Sequence, residues 1–333
     1  MIVPIFNTAK YLSECFDSLL AQDYSNFVVF GVNDGSSDDS GSILNQYAAK
    51  NPRIVAKHQA NGGVASARNL ALRAIEDDGG FDLICFVDSD DVVAPHLLSL
   101  YAQGFSEHHA EFVAVGVEPF DKNGPVHQRN KVAHPPKSLS QDELFYFCFG
   151  FDVFKSSPAS SRFIGNIAVS AKTVHGQRFN AKQKIGEDQD FILYSLLKTH
   201  AGVAFADIAY RYRLRKSSLS HNPKLRFDDL DRFILWMQRD LPNSCRHVIE
   251  FLTFDTWWQL LRRASEAGKL NEHWDKFVST YRFIRREFKT EELKRPSTRK
   301  RLWMFSLGRW FIGAYFKFSK KKKASNTLLS AFE

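Results

Sequence analysis

The chain has no run of about 18 uncharged apolar residues, so no segment reads as a membrane span. It opens MIVPIFNTAKYL, without a basic stretch ahead of a long apolar one, and no secretory leader is expected. Only four cysteines occur, Cys15, Cys85, Cys148 and Cys245, and none are paired at zinc-ligand spacing. A disulfide framework and a zinc ribbon are thereby excluded, and Cys15 and Cys85 read as small core residues of a reducing compartment. G-x-G-x-x-G is missing after the first strand, no glycine loop ends in GKS or GKT, and G-x-S-x-G is absent. The dinucleotide fingerprint, the P-loop and the serine-hydrolase elbow therefore drop out. No internal repeat is visible.

What is present is an ordinary globular balance, 44% hydrophobic and 25% charged residues, with the charge unevenly placed. Residues 294–323 hold 11 Lys and Arg and no acid, against a formal +8 for the chain, so the rest is mildly acidic. No basic field covers the body, which argues against nucleic acid as a partner and points the tail toward an anionic surface. Apolar patterning predicts strands at Ile2–Ile5, Phe27–Val32, Ile54–Lys57, Asp82–Val87, Phe112–Val117, Asn166–Ser170 and Val203–Arg213. It predicts helices at Tyr11–Leu20, Ser40–Lys50, Val64–Ile75, Pro95–Gly104, Leu139–Phe149 and from GEDQDF, residues 186–191, to about His200. The first strand starts almost at residue 1, as though a few further residues belonged before it. Strands alternating with helices predict an α/β fold with a mostly parallel central sheet flanked by helices. Residues 121–138, carrying Pro125, Pro135 and Pro136, read as a long loop or irregular hairpin. Past Pro223 strand signals cease and apolar residues return at helical spacing. The expected organisation is a catalytic domain over 1–220, a helical region over 221–298 and a basic aromatic tail over 299–333.

Chemistry concentrates in short polar clusters after the apolar strands. Asp88-Ser89-Asp90-Asp91 puts three carboxylates in four positions. Such a cluster is costly at a sheet edge unless a cation or donors offset it. It suits a hard divalent ion, or else a loop in which Asp91 caps the next helix. Asn33-Asp34-Gly35-Ser36 offers a carboxylate to a planar heterocycle, or an ordinary strand-to-helix turn. Asn61-Gly62-Gly63 with Arg68 suits a phosphate at a helix N-terminus, or a surface arginine. Glu187-Asp188 supplies a general base, or charges favoured by the helix dipole. Arg213 and His221, around the stretch RLRKSSLSH, suit a metal, a phosphate or plain solvent.

Taken in order, VPIFN, NDGSSD, NGGVASARN, FVDSDD and GEDQDF closely resemble the inverting family 2 nucleotide-sugar glycosyltransferases of the GT-A fold, the type that builds bacterial surface polysaccharides. The resemblance spans about residues 1–220. It implies that Pro4, Phe6 and Asn7 lie beside the nucleotide and that Asp34 meets the uracil ring of a UDP-sugar, Asn33 replacing a second aspartate common there. It implies Arg68 near the diphosphate, Asp88 at the ribose or the ion's water, and Asp90 as ligand of Mn²⁺ or Mg²⁺, with His221 a looser metal contact. Asp188 is the implied base that activates the acceptor hydroxyl. The implied reaction moves a hexosyl or N-acetylhexosaminyl group to a glycan or lipid-linked saccharide, in capsule, lipopolysaccharide or other surface-glycan assembly. The rivals are a nucleotidyltransferase or diphosphate hydrolase, which NDGSSD disfavours by its acidity, and a non-catalytic nucleotide-sugar-binding or scaffolding protein.

The tail crowds Trp303, Met304, Phe305, Leu307, Trp310, Phe311, Ile312, Tyr315, Phe316 and Phe318 among Arg299, Lys300, Arg301, Arg309 and Lys320 to Lys323. It reads as a helix lying in a membrane interface, or as a core helix with a basic end. The expected location is cytoplasmic, peripheral on the inner face of the cytoplasmic membrane.

Overall fold

The computed structural model describes residues 1–122, 124–126, 135–149, 163–183, 186–215, 231, 234–236, 243–288, 296–309, 312 and 314–315. The chain forms two compact units, Met1–His221 and Asn222–Glu333.

In the first unit, strands β1 (Ile2–Ile5), β2 (Val29–Asp34) and β3 (Ile54–Gln59) pair in parallel in the order β1-β2-β3. Helices α1 (Ala9–Leu20), α2 (Ser40–Lys50) and α3 (Val64–Asp78) connect them and lead onward. These are the crossovers that parallel pairing demands. The apolar runs IVPI and VFGV are buried throughout because helices cover the sheet. A parallel bridge between Ile2 and Phe86, with Val87 N donating to Ile2 O at 3.0 Å, carries the sheet on to β4 (Leu83–Cys85).

Beyond it lie β5 (Val92–Val93), β6 (Phe112–Asp121), β7 (Gly124–Pro125), β8 (Lys137–Ser140), β9 (Ile167–Ser170) and β10 (Ala201–Arg213). Their spatial order is β4-β9-β6-β10-β5, with β7 on β6 and β8 on β10. Pairing here is mixed: β6 and β10 run parallel, while β9 and β5 enter antiparallel. Among the described residues the unit also holds helices α4 (Leu97–Glu107), α5 (Gln141–Phe149), α6 (Ala171–Val174) and α7 (Glu187–Lys198) and a 3-10 turn at Ile164–Asn166. One core runs through it, from Val3, Leu12 and Phe16 to Val113, Val203 and Tyr210.

Several boundaries differ from the local reading. Leu139, expected in a helix, is the third residue of strand β8, because Gly202 of β10 offers it a paired backbone and Leu144 packs where a side chain at Gly202 would sit. The second strand runs on through Asn33 and Asp34, since β3 extends alongside it to His58 and Gln59. The fourth keeps only Leu83–Cys85 as ladder. Strand β5, two residues long, carries too little pattern to be seen locally. Half of the expected 121–138 loop lies outside the described residues; the rest is the short β6–β7 hairpin and the approach to and start of β8.

In the second unit, helices α8 (Asn243–Glu266), α9 (Trp274–Glu287) and α10 (Pro296–Ser306) are described. Trp257 is fully buried and donates its indole N–H to Phe277 O at 3.1 Å. The Phe305 ring packs against Trp257 at 4.9 Å, Trp274 at 4.9 Å and Tyr281 at 5.0 Å. The tail expectation therefore divides. Leu302, Met304, Phe305 and Ile312 are buried in a helical core, while Trp303 (59% exposed), Leu307 and Tyr315 face outward. Arg299 and Lys300 are exposed as well, one helical turn before Trp303. Trp310, Phe311, Phe316, Phe318 and Lys320 to Lys323 lie outside the described residues. No helix among the described residues is long and apolar enough to cross a membrane.

Candidate active site

The polar clusters follow the ends of β1, β2 and β4, the carboxyl edge where open α/β sheets bind ligands. A chain of hydrogen bonds joins them. Asn7 N donates to Ser36 Oγ at 3.1 Å and Ser37 N to Asn7 Oδ1 at 2.8 Å, so the residues after β1 and β2 hold each other. Asn7 takes φ of 51° to do so, a conformation that asparagine tolerates. Thr8 N donates to Ser40 Oγ at 2.9 Å and Thr8 Oγ1 to Ser89 Oγ at 3.0 Å, which ties in the acidic loop. Pro4 is buried within β1, whereas Phe6 is 48% exposed at its end.

Asp34 is buried and fully engaged by the chain. Gln59 Nε2 and Gly62 N donate to Oδ1 at 2.6 and 2.8 Å, and Gly63 N donates to Oδ2 at 2.8 Å. Its carboxylate thus shapes the Asn61-Gly62-Gly63 turn that opens α3. Gly35 takes φ of 67° with Asn61 N only 2.7 Å from where a Cβ would stand, so no other residue fits without displacing that turn.

Arg68 is the hub. It is 3% exposed on α3, and its Nη2 donates to Asp88 Oδ1 at 2.9 Å while Nη1 donates to Glu187 Oε1 at 3.0 Å. The guanidinium stands 5.3 Å from the centre of the Phe179 ring. Burial acts to lower its pKa, but Asp88, Glu187 and Asp188 outweigh it and the net shift is upward. Breaking a buried pair of this kind costs about 3–5 kcal/mol, because the remaining partner keeps a buried charge. Arg68, the arginine expected beside a diphosphate, joins the acidic loop to the start of α7.

The three carboxylates of the acidic loop have distinct environments. Asp88 is partly exposed and held by Arg68. Asp90 is ion-paired to Arg215, Nε to Oδ2 at 2.5 Å, yet burial and then Asp88 push its carboxyl up to about 6. Asp91 is fully buried, accepting from Tyr210 Oη at 2.7 Å and from Arg213 N at 2.7 Å. Burial, followed by Asp88 and Asp90, pushes it well above the ordinary carboxylate range. These contacts follow from one register. β10 pairs antiparallel with β5, Tyr210 opposite Val93 and Arg211 opposite Val92, so continuing the ladder brings Arg213 level with Asp90.

Helix α7 begins at Gly186, whose φ of 77° turns the chain sharply into Glu187. Glu187, Asp188 and Asp190 occupy its first turn, where the helix dipole favours anions. Glu187 is pinned to Arg68; Asp188 is largely buried, and its Oδ1 accepts from Gln189 N at 2.8 Å. Burial, then Glu187, pushes the Asp188 carboxyl up to about 7, with Arg68 opposing. That is the poise of a general base near neutrality.

Of the residues singled out in the sequence, Arg68, Asp88, Asp90 and Asp188 come together around the acidic loop and α7. Pro4, Phe6, Asn7 and Asp34 belong to the adjoining turns. His221 lies outside the described residues. Glu187, Tyr210, Arg213 and Arg215 carry more of the site than local pattern revealed; the alternation in YRYRLR gave the one available signal.

Residues 1–156 match the family model described as Glycosyl transferase family 2. Over this stretch the chain carries a domain similar to the family 2 glycosyltransferases. The domain is 38% identical over 116 residues to the uncharacterized glycosyltransferase EpsJ of Bacillus subtilis, covering 35% of this chain and 33% of EpsJ. The Staphylococcus aureus poly(ribitol-phosphate) beta-N-acetylglucosaminyltransferase TarS is 26% identical over 219 residues, 65% of this chain and 35% of TarS. The chain thus spans about a third of the length of these curated relatives. The solved structure of S. aureus TarS 1-349 in complex with UDP-GlcNAc superposes with a TM-score of 0.60, over 85% of this chain and 79% of that one, at 21% identity. A mannosyltransferase of Pyrobaculum calidifontis in complex with GDP-Man and Mn²⁺ gives 0.51, over 95% and 85%, at 15% identity. These likenesses establish the GT-A fold.

Proposed function

We propose that the protein transfers a sugar from a UDP-sugar to a hydroxyl of a glycan or lipid-linked saccharide, with inversion at the anomeric carbon. The observation that carries this reading is the Arg68 bridge. It draws the acidic loop after β4 and the first turn of α7, 99 residues apart from Asp88 to Glu187, to one guanidinium.

The roles divide by environment. Phe6 and Asn7 flank the base, and Asp34 acts through the Gly62-Gly63 turn that it holds in place. Asp188 removes the proton of the acceptor hydroxyl as its oxygen bonds to the anomeric carbon, and the bond from that carbon to the UDP oxygen breaks. One displacement inverts the centre, and UDP departs with the bonding electrons. Arg68 is a positioning residue: it fixes Asp88 and, through Glu187, the turn that presents Asp188.

Asp88 and Asp90 are hard oxygen donors two positions apart in one loop; burial, and then the charge of Asp88, raises the Asp90 carboxyl, and a cation would offset both. No group of three or more His, Cys, Asp or Glu suited to an ion exists among the described residues, so two carboxylates and the donor's diphosphate would share the coordination. Mn²⁺ or Mg²⁺ held there supplies neutralisation of charge on the leaving diphosphate.

The deciding assay measures UDP release with nucleotide sugars and membrane extract as acceptor, with and without chelator. Release that needs donor, acceptor and divalent ion supports transfer. Tight UDP-sugar binding without turnover under every acceptor would leave a binding or scaffolding protein instead.

For the second unit, the exposed stripe of Arg299, Lys300, Trp303 and Leu307 on and just after α10 supports contact with an anionic membrane surface, near a lipid-linked acceptor. Replacing Trp303 and Leu307 by serine is expected to reduce sedimentation with phosphatidylglycerol vesicles; unchanged sedimentation refutes that contact.

A further inference from the structure

Two arginines from the end of β10 reach the acidic loop, and they do different things there. Arg213 binds a buried carboxylate, a backbone carbonyl and a surface acid: its backbone N–H donates to Asp91 Oδ1, its Nε to Asp90 O at 2.7 Å, and its Nη2 to Glu14 Oε2 at 2.6 Å. That arrangement holds the loop in shape. Arg215 instead places its charge on the Asp90 carboxylate, Nε to Oδ2 at 2.5 Å, and is itself about a quarter exposed. Both guanidiniums rest near the Tyr11 ring of α1, at 5.0 and 5.6 Å from its centre, and Arg213 also covers Phe120 at 4.3 Å. Two of the three carboxylates of the loop are thereby offset by the chain's own cations, Arg68 at Asp88 and Arg215 at Asp90.

A guanidinium and a divalent ion cannot both bind one carboxylate oxygen without bringing like charges to contact distance, where repulsion in a half-buried site is large. We infer that Arg215 is a resident counter-cation at Asp90 that competes with a divalent ion for this carboxylate. This rests on the reading of Asp90 as an ion ligand. Displacing Arg215 leaves an additional positive charge at the site mouth, which an anionic diphosphate offsets. The domain therefore takes up the ion weakly by itself and strongly with the donor, and Arg215 sets the size of that difference. Arg213 keeps the loop's shape in both states, because its bonds to Asp90 O and Asp91 do not involve the Asp90 carboxylate.

The test is a Mn²⁺ titration of the full chain, read from the electron paramagnetic resonance of free Mn²⁺, first without nucleotide and then with UDP. Arg215→Gln is expected to bind Mn²⁺ about fivefold to tenfold tighter than wild type without nucleotide, and to gain less from UDP. Arg215→Lys, which keeps the charge, is expected to stay close to wild type. Asp90→Asn is expected to lose uptake in both conditions. Unchanged or weaker Mn²⁺ affinity in a folded Arg215→Gln protein overturns the inference, as does a Lys variant as tight as the Gln variant. In either case UDP-dependent uptake by the wild type leaves the proposed function standing. If the wild type takes up no Mn²⁺ with UDP present, the ion role of Asp90 and the counter-cation both fall.

Discussion

The two units are held together by different physics. In Met1–His221 an apolar core carries the fold, and the contacts that position the site are polar and distant in sequence: Arg68 to Glu187, Thr8 to Ser89, Tyr210 to Asp91. In the helical unit they are aromatic and apolar, with Trp257, Trp274, Tyr281 and Phe305 sharing one cluster. A buried polar network specifies positions to within a hydrogen-bond length, and catalysis needs that precision. Aromatic packing supplies bulk stabilisation through area removed from water and tolerates more variation in geometry. Chemistry and stability should therefore be separable by mutation.

The sharpest way to break that separation is at Asp188. Asp188→Asn removes the base while keeping shape, so transfer should fall by about 10²–10⁴ with UDP affinity retained. Single-turnover rates beside UDP titrations check this, and an unchanged rate removes Asp188 from the role. Next comes the aromatic unit. Trp257→Ala deletes a fully buried indole and its hydrogen bond to Phe277 O, at a cost of about 3–5 kcal/mol. Denaturant unfolding should show that loss while UDP binding by the first unit persists. A parallel collapse of UDP binding would show that the units do not keep stability and chemistry apart.

The smallest effect sharpens the comparison inside the polar unit. The Asp188 carboxyl is raised, so it is protonated below about 7 and serves as a base only above it. Transfer should rise roughly tenfold per pH unit on the acid side and level off past about 7. Stability should move the other way. A carboxyl whose folded pKa is raised above its ordinary value makes folding less favourable as pH climbs from about 4 to about 7, and the cost is constant beyond. A flat rate profile across that range would place the base elsewhere.

Particular residues show what could be read in advance. Ser40–Lys50 and Ile2–Ile5 lie where patterning puts them, since both are determined by local periodicity within a few residues. The acidic clusters at the end of β4 and the start of α7 were equally visible, because runs of carboxylates need no partner to be noticed. Arg68 was visible, but its bridging role was not. Its partners are 20 and 119 residues away, and no local pattern encodes them. Arg213 and Arg215 were obscured for a related reason. Their position depends on β5, and two valines after an acidic run give no strand signal of their own.

By itself the amino-acid order determined which segments are apolar enough to become strands and helices, and which turns carry carboxylates, glycines and arginines. The pairing of strands decided the rest. Laying β10 antiparallel to β5 set Tyr210, Arg213 and Arg215 against three aspartates, and closing α3 over β1 and β2 put Arg68 between two acids. Such contacts depend on sheet order and register, which are settled by the total burial of the domain and not by any one stretch of chain.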